Sequence, residues 1–215
     1  MAVSKTHPAA AIVEAIAAGQ RLFGENRVQE FAEKRDAVLA ASAGGEFHLI
    51  GHLQSNKAAR AAELFDAVDS VDSLRLAERL NEAAARLQRR LDVLIEINIG
   101  GEAAKSGLDS TSEELYALLD AQAGLTHLAI RGCMTVPPFT PDPEDSRGYF
   151  RQLREVRDRL SARSGLPLKE LSMGMSHDFE VAIEEGSTCV RVGTAIFGAR
   201  EYPAGDAAPG KESSR

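Results

Sequence analysis

The run Ala2-Val3-Ser4-Lys5-Thr6-His7-Pro8 is a short β-prone stretch that ends in one lysine, and a proline then punctuates the turn. If Ala2 to Ser4 form a strand, Lys5 sits at its C-terminal end, where a parallel α/β barrel builds its chemistry. Among small and apolar neighbours a lysine loses solvation, so its pKa falls and its amine becomes nucleophilic. Such an amine can form a Schiff base with an aldehyde. A lone lysine is ordinarily only a solvated surface charge. Two polar motifs far along the chain favour the chemical reading. One is Ser172-Met173-Gly174-Met175-Ser176-His177-Asp178, before a helical pattern, and the other is Arg191-Val192-Gly193-Thr194. Helix N-termini offer unpaired N–H groups and partial positive charge, and glycine lets backbone approach an anion. Ser176 and Thr194 add hydroxyls. Singly, each motif reads equally well as a helix cap or a turn. On neighbouring strands of one barrel face, they read as a phosphate site.

The elements that must position these residues alternate along the whole chain. Strand patterns fall at 2–4, 21–26, 47–51, 67–71, 92–99, 127–134, 168–172 and 188–192. Helical patterns lie between them at 9–18, 28–41, 55–64, from Asp72 or Ser73 to Arg86, then 112–119, 144–162 and 179–185. The prolines of Val136-Pro137-Pro138-Phe139-Thr140-Pro141-Asp142-Pro143 forbid helix and predict a long loop. Eight strand patterns, each but the last followed by a helical one, predict one α/β domain, a (β/α)8 TIM-type barrel, over residues 1–201. A doubly wound open sheet is the alternative. Residues 202–215 have the composition of a disordered tail. Glu96, inside an apolar strand, reads as an inward-facing carboxylate paired with an arginine or lysine.

Bulk composition narrows the partners. The chain has 215 residues, is 44% hydrophobic and 27% charged, and carries a net charge of −7. That balance argues against general nucleic-acid binding, which needs clustered positive charge. The two cysteines, Cys133 and Cys189, lack the spacing of a metal site or a disulfide framework and read as buried thiols. No run has the length and apolarity of a membrane span or the pattern of a signal peptide, so the expected place is the cytoplasm, and a monomer is expected.

In a closed barrel strand eight lies against strand one, which puts the phosphate site beside Lys5. A ligand with an aldehyde at one end and a phosphate at the other fits both, and pyridoxal 5′-phosphate (PLP) is such a ligand.

The segments Ala2-Val3-Ser4-Lys5-Thr6, Phe23-Gly24-Glu25-Asn26-Arg27-Val28-Gln29-Glu30, His48 to Lys57, Ser172 to Ser176 and Arg191 to Gly198 resemble the pyridoxal phosphate homeostasis protein family. These are small PLP-binding barrels related to the barrel domain of bacterial alanine racemase. The resemblance runs from residue 2 to about residue 201 and implies a fold-type III PLP barrel. It implies that Lys5 holds PLP as a Schiff base and that the protein serves intracellular PLP homeostasis without an established catalytic activity. Family members usually carry a helix and a longer first strand ahead of the lysine motif, which here begins at residue 2. The expectation is either that the given sequence starts late or that this helix is absent. Phe179 stands where the family usually has tryptophan.

The implied cofactor-binding set is Lys5, Asn26, Met175, Ser176, Arg191, Gly193 and Thr194. Ser176, Gly193 and Thr194, with backbone donors near Gly174 and Met175, would hold the phosphate. Arg191 would reach the pyridine nitrogen. Asn26 and His52, after strands two and three, read equally as lining the same mouth or as loop caps and rim residues. An arginine there disfavours protonation of the nitrogen and weakens the ring as an electron sink. No metal site and no catalytic residue is predicted. Tyr116 and Tyr149 fall on outer helices and Tyr202 in the tail, so none is placed as a second base. A PLP carrier, with apo PLP enzymes as possible recipients, is the first reading. A PLP-dependent amino-acid racemase-like enzyme is the second, and a Schiff-base aldolase the third.

Overall fold

The alternating apolar runs become eight strands in a computed structural model, which describes residues 1–41, 44–102 and 105–198. The strands are β1 Ala2–Val3, β2 Leu22–Glu25, β3 Glu46–Leu49, β4 Ala67–Val71, β5 Leu91–Glu96, β6 Leu128–Met134, β7 Glu170–Met175 and β8 Cys189–Arg191. The helices are α1 Ala9–Ala17, α2 Val28–Ala41, α3 Ala58–Leu64, α4 Leu74–Arg86, α5 Glu113–Asp120, α6 Arg147–Ser164, α7 Phe179–Glu184 and α8 Thr194–Phe197. Each strand pairs in parallel with the next, in chain order. Val3 N–H donates to the Val192 carbonyl at 2.8 Å, and Val192 N–H to the Met1 carbonyl at 3.0 Å. With the parallel bridge between Ala2 and Val192, these bonds close the sheet into a (β/α)8 barrel. An open sheet would leave β1 and β8 as edges, and here they are joined.

Local chemistry sets the helix ends. Ser73, one of two expected caps, accepts the Leu76 N–H at 3.2 Å, and Ser112 accepts that of Leu115 at 3.2 Å. Gly165, with φ +71°, ends α6 in the left-handed region that glycine tolerates. Three expectations are corrected. The fifth strand ends at Glu96, because Ile97 leaves it to bridge Leu108. The seventh begins at Glu170 and runs through Met175, so Met173 to Met175 are strand and not loop. Its register against β8 shifts between Ser172 and Met175, and this irregularity absorbs Gly174 at φ +92°. An eighth helix, α8, follows β8. The expected tail at 202–215 lies outside the described residues.

The main core lies between barrel wall and helices. Phe31 of α2 stacks at 4.6 Å on Phe47 and at 4.9 Å on Phe65, and Phe23 meets Phe47 at 5.3 Å. Among the described residues no helix is long and apolar enough to cross a membrane.

The N-terminal end of the barrel is polar inside. His48 Nδ1 lies 3.0 Å from Asp69 Oδ1, and its Nε2 lies 3.1 Å from Glu46 Oε1. Burial opposes the imidazolium, but hydrogen bonds and attraction from both carboxylates outweigh it and push the pKa up to about 9. The folded value lies above the unfolded one. The stabilisation is therefore complete below about pH 6.5 and is lost as pH rises through about 9. Urea unfolding across this window is expected to show stability falling by up to about 3 kcal/mol, and His48→Gln is expected to flatten that dependence. An unchanged slope in the variant would contradict the assignment.

Candidate ligand site at the C-terminal mouth

β1 gives way to a tight turn at its C-terminal end. The Ser4 carbonyl accepts the His7 N–H at 3.1 Å, which places Lys5 and Thr6 at the turn's centre. Thr6 has φ +68°, a conformation that glycine ordinarily supplies at the third turn position. Glu25 shares the face of Phe23 on β2 and so points toward α2. There it meets Lys34, whose Nζ lies 2.8 Å from Glu25 Oε1 and 3.1 Å from Glu30 Oε1. The same ammonium donates to the carbonyls of Ser4 at 3.1 Å and His7 at 3.3 Å. Ser4 Oγ donates to Glu25 at 2.6 Å, and the Thr6 N–H donates to Glu30. Burial raises the Glu25 pKa against the lowering pull of Lys34 and Ser4, and Glu25 Oε2 is left without a partner.

The facing wall comes from β7 and β8. Arg191 is 4% exposed. Its guanidinium donates to Ser172 Oγ at 2.8 Å and to the Thr135 carbonyl at 2.7 Å. Burial lowers its pKa, with carboxylates nearby opposing. The Gly193 N–H reaches Ser176 Oγ at 3.4 Å, which holds the β7 and β8 exits together. Asp178 folds the β7 exit back on itself, accepting the Met175 N–H at 2.7 Å and donating its own N–H to the Met175 carbonyl at 3.1 Å.

Lys5, Asn26, Met175, Ser176, Arg191, Gly193 and Thr194 all line one cavity of about 580 Å³. Val3, Ile50, Val136, Phe139 and His177 complete its wall. The size suits a small-molecule site. Asn26 Oδ1 is buried there without a partner. Two details of the expected phosphate cradle change. The Met175 N–H is already engaged by Asp178, so it is not a free donor. Gly174 serves packing, because a Cβ there would stand 2.5 Å from the Ala182 Cβ of α7.

Other expected residues fall elsewhere. His52 turns to Asp72, with Nδ1 2.9 Å from Oδ2, and lines a neighbouring groove with Arg27, Gln29 and Lys57. Glu96 is buried, but its partner is the Ser106 hydroxyl at 3.0 Å and not an arginine or lysine. Burial raises its pKa, and Oε2 is unpartnered. Tyr116 and Tyr149 lie on α5 and α6, and Tyr202 lies outside the described residues. Sequence reasoning missed the role of Phe139, which is 76% exposed at the rim with its ring 5.4 Å from that of His177. It also missed Lys34. The i,i+4 spacing of Glu30 and Lys34 was visible, but their reach back to the Lys5 turn was not.

A family model described as alanine racemase, N-terminal domain, matches residues 1–201. The pyridoxal phosphate homeostasis protein of Aquifex aeolicus is 44% identical over 202 residues, covering 94% of this chain and 87% of that protein. The one from Escherichia coli strain K12 is 48% identical over 208 residues, covering 94% of this chain and 86% of that protein. The chain belongs to this family. PipY of Synechococcus elongatus PCC7942, solved with PLP bound, superimposes with a TM-score of 0.84 at 44% identity. That match covers 92% of this chain and 91% of PipY.

Proposed function

We propose that this protein binds PLP at the barrel mouth, attached through Lys5, and serves as a carrier in intracellular PLP homeostasis. The observation that carries the reading is the convergence of the amine of Lys5 and the hydroxyls of Ser176 and Thr194 on one cavity. The PLP-bound structure of the relative PipY supports the ligand. When bound, PLP supplies an aldehyde carbon, to which a lysine amine bonds with loss of water, and an electron-withdrawing ring.

The residues fit that ligand. Ser176 and Thr194 offer hydroxyls for a phosphate, and Gly193, whose N–H reaches Ser176 Oγ, lines the same wall. Arg191, fixed by Ser172 and Thr135, presents a permanent cation toward the pyridine nitrogen. Asn26 brings an unsatisfied amide oxygen and its amino group to the same space. The carrier reading over the racemase reading rests on Arg191, which disfavours a protonated ring and weakens carbanion stabilisation. It also rests on the cavity lining, which holds no tyrosine among the described residues. Transfer to apo PLP enzymes, from a monomer in the cytoplasm, completes the proposal.

Ser176→Ala and Thr194→Ala are each expected to weaken PLP binding by about 1–3 kcal/mol in equilibrium titration. Pyridoxal without its phosphate is expected to bind far more weakly than PLP. Equal affinity for the two vitamers would misplace the phosphate, and preference for a sugar phosphate over both would favour the aldolase reading.

Carrier and enzyme separate in deuterated water. The PLP-loaded protein, given a panel of L-amino acids, is expected to exchange their Cα hydrogens negligibly and to donate PLP to an apo PLP enzyme. Turnover at ordinary enzyme rates, on the order of 1–10³ s⁻¹, would make it a racemase-like enzyme instead.

A further inference from the structure

The residues on either side of Lys5 are tied to a single charged group that does not itself line the cavity. Lys34 Nζ holds the carbonyl before Lys5, that of Ser4, and the carbonyl of His7 two residues after it. Glu30 accepts both the Thr6 N–H and Lys34. Glu25 anchors Lys34 from the barrel wall and accepts the Ser4 hydroxyl. These contacts of Lys34, Glu30 and Glu25 with the turn fall on Ser4, Thr6 or His7, the residues flanking Lys5. The turn they hold is unfavourable by itself. Thr6 is β-branched and sits at φ +68°, a strained conformation that persists only where the surroundings over-determine it. Lys34 is 9% exposed and sits beside a carboxylate that is fully buried. Such a pair is costly in desolvation and is weak evidence for stability alone.

We propose that Lys34, clamped by Glu25 and Glu30, is a positioning residue: it holds the strained Lys5–Thr6 turn and thereby aims the Lys5 amine into the cavity. The inference rests on the reading of Lys5 as the PLP-bonding group. A clamp of this kind governs how readily Lys5 captures the aldehyde, and it leaves the phosphate and ring contacts of β7 and β8 untouched. A reactive group displaced by about 1 Å can lose on the order of a hundredfold in rate.

The test separates capture from binding. Capture is the rate at which PLP becomes fixed to protein by borohydride, and binding is the affinity for pyridoxamine phosphate, which has no aldehyde. Lys34→Met is expected to slow capture by about tenfold to a hundredfold and to keep its affinity for pyridoxamine phosphate. Adding Thr6→Gly is expected to restore most of the capture rate, because glycine adopts the left-handed turn without a clamp. If Lys34→Met does not fold, Glu30→Ala, which removes the Thr6 N–H acceptor from a partly exposed position, is expected to slow capture in the same way. Wild-type capture rates in these variants would overturn the proposal. So would a parallel loss of pyridoxamine phosphate affinity, or no rescue by Thr6→Gly. A wild-type protein that binds PLP without fixing it to Lys5 would instead fail the parent reading, and the clamp would fall with it.

Discussion

Val3 donates its backbone N–H to Val192, and Val192 donates its own to Met1. These short parallel bonds turn eight strands into a ring, and the site depends on them. Lys5 follows β1 by two residues, and Gly193 and Thr194 follow β8 by two and three. Only a closed seam brings these stretches, nearly 190 positions apart in sequence, to one wall of one cavity. Lys5, Ser176 and Thr194 thereby line one cavity. On that shared wall rests the proposal of a ligand with an aldehyde at one end and a phosphate at the other.

Polar groups are then set against the barrel at three levels. At the N-terminal end His48 is charged between Asp69 and Glu46. At the C-terminal end Arg191 crosses the interior to Ser172 and Thr135 and presents its charge to the cavity. Outside the wall, under α2, Glu25 and Lys34 brace the turn that carries Lys5. The first of these serves stability, and the other two shape the site. Neither the arginine nor the clamp supplies a base to a substrate. Under the proposed function, they would hold a reactive aldehyde in place and give little help to carbanion chemistry.

Much of this was legible in the residues. Alternating apolar patterns gave the number and order of strands because each strand has a buried face with period two. Motif chemistry and the family resemblance together pointed to seven residues, and all seven line the cavity. The misreadings have local physical causes. Gly174 read as part of an anion-binding loop after strand seven, yet a register irregularity lets the strand run through it. Met175 looked like a backbone donor, but Asp178, three residues on, takes its N–H. His52 shared a loop with the mouth, yet Asp72 draws its ring away. Glu96 was expected to pair with a cation and is held by a serine from the loop that follows β5. Lys34 escaped notice because its contacts run from the middle of a helix to a turn about 30 positions earlier, and single-sequence patterns report only neighbours along an element.

The account stands on the identity of the PLP-bonding amine. The most direct measurement loads the purified protein with PLP, reduces it with borohydride, digests it and maps the fixed cofactor by mass spectrometry. The account predicts one modified peptide, carrying the adduct on Lys5, and no adduct after Lys5→Ala. An adduct on Lys57, on Lys105 or spread over several lysines would contradict it.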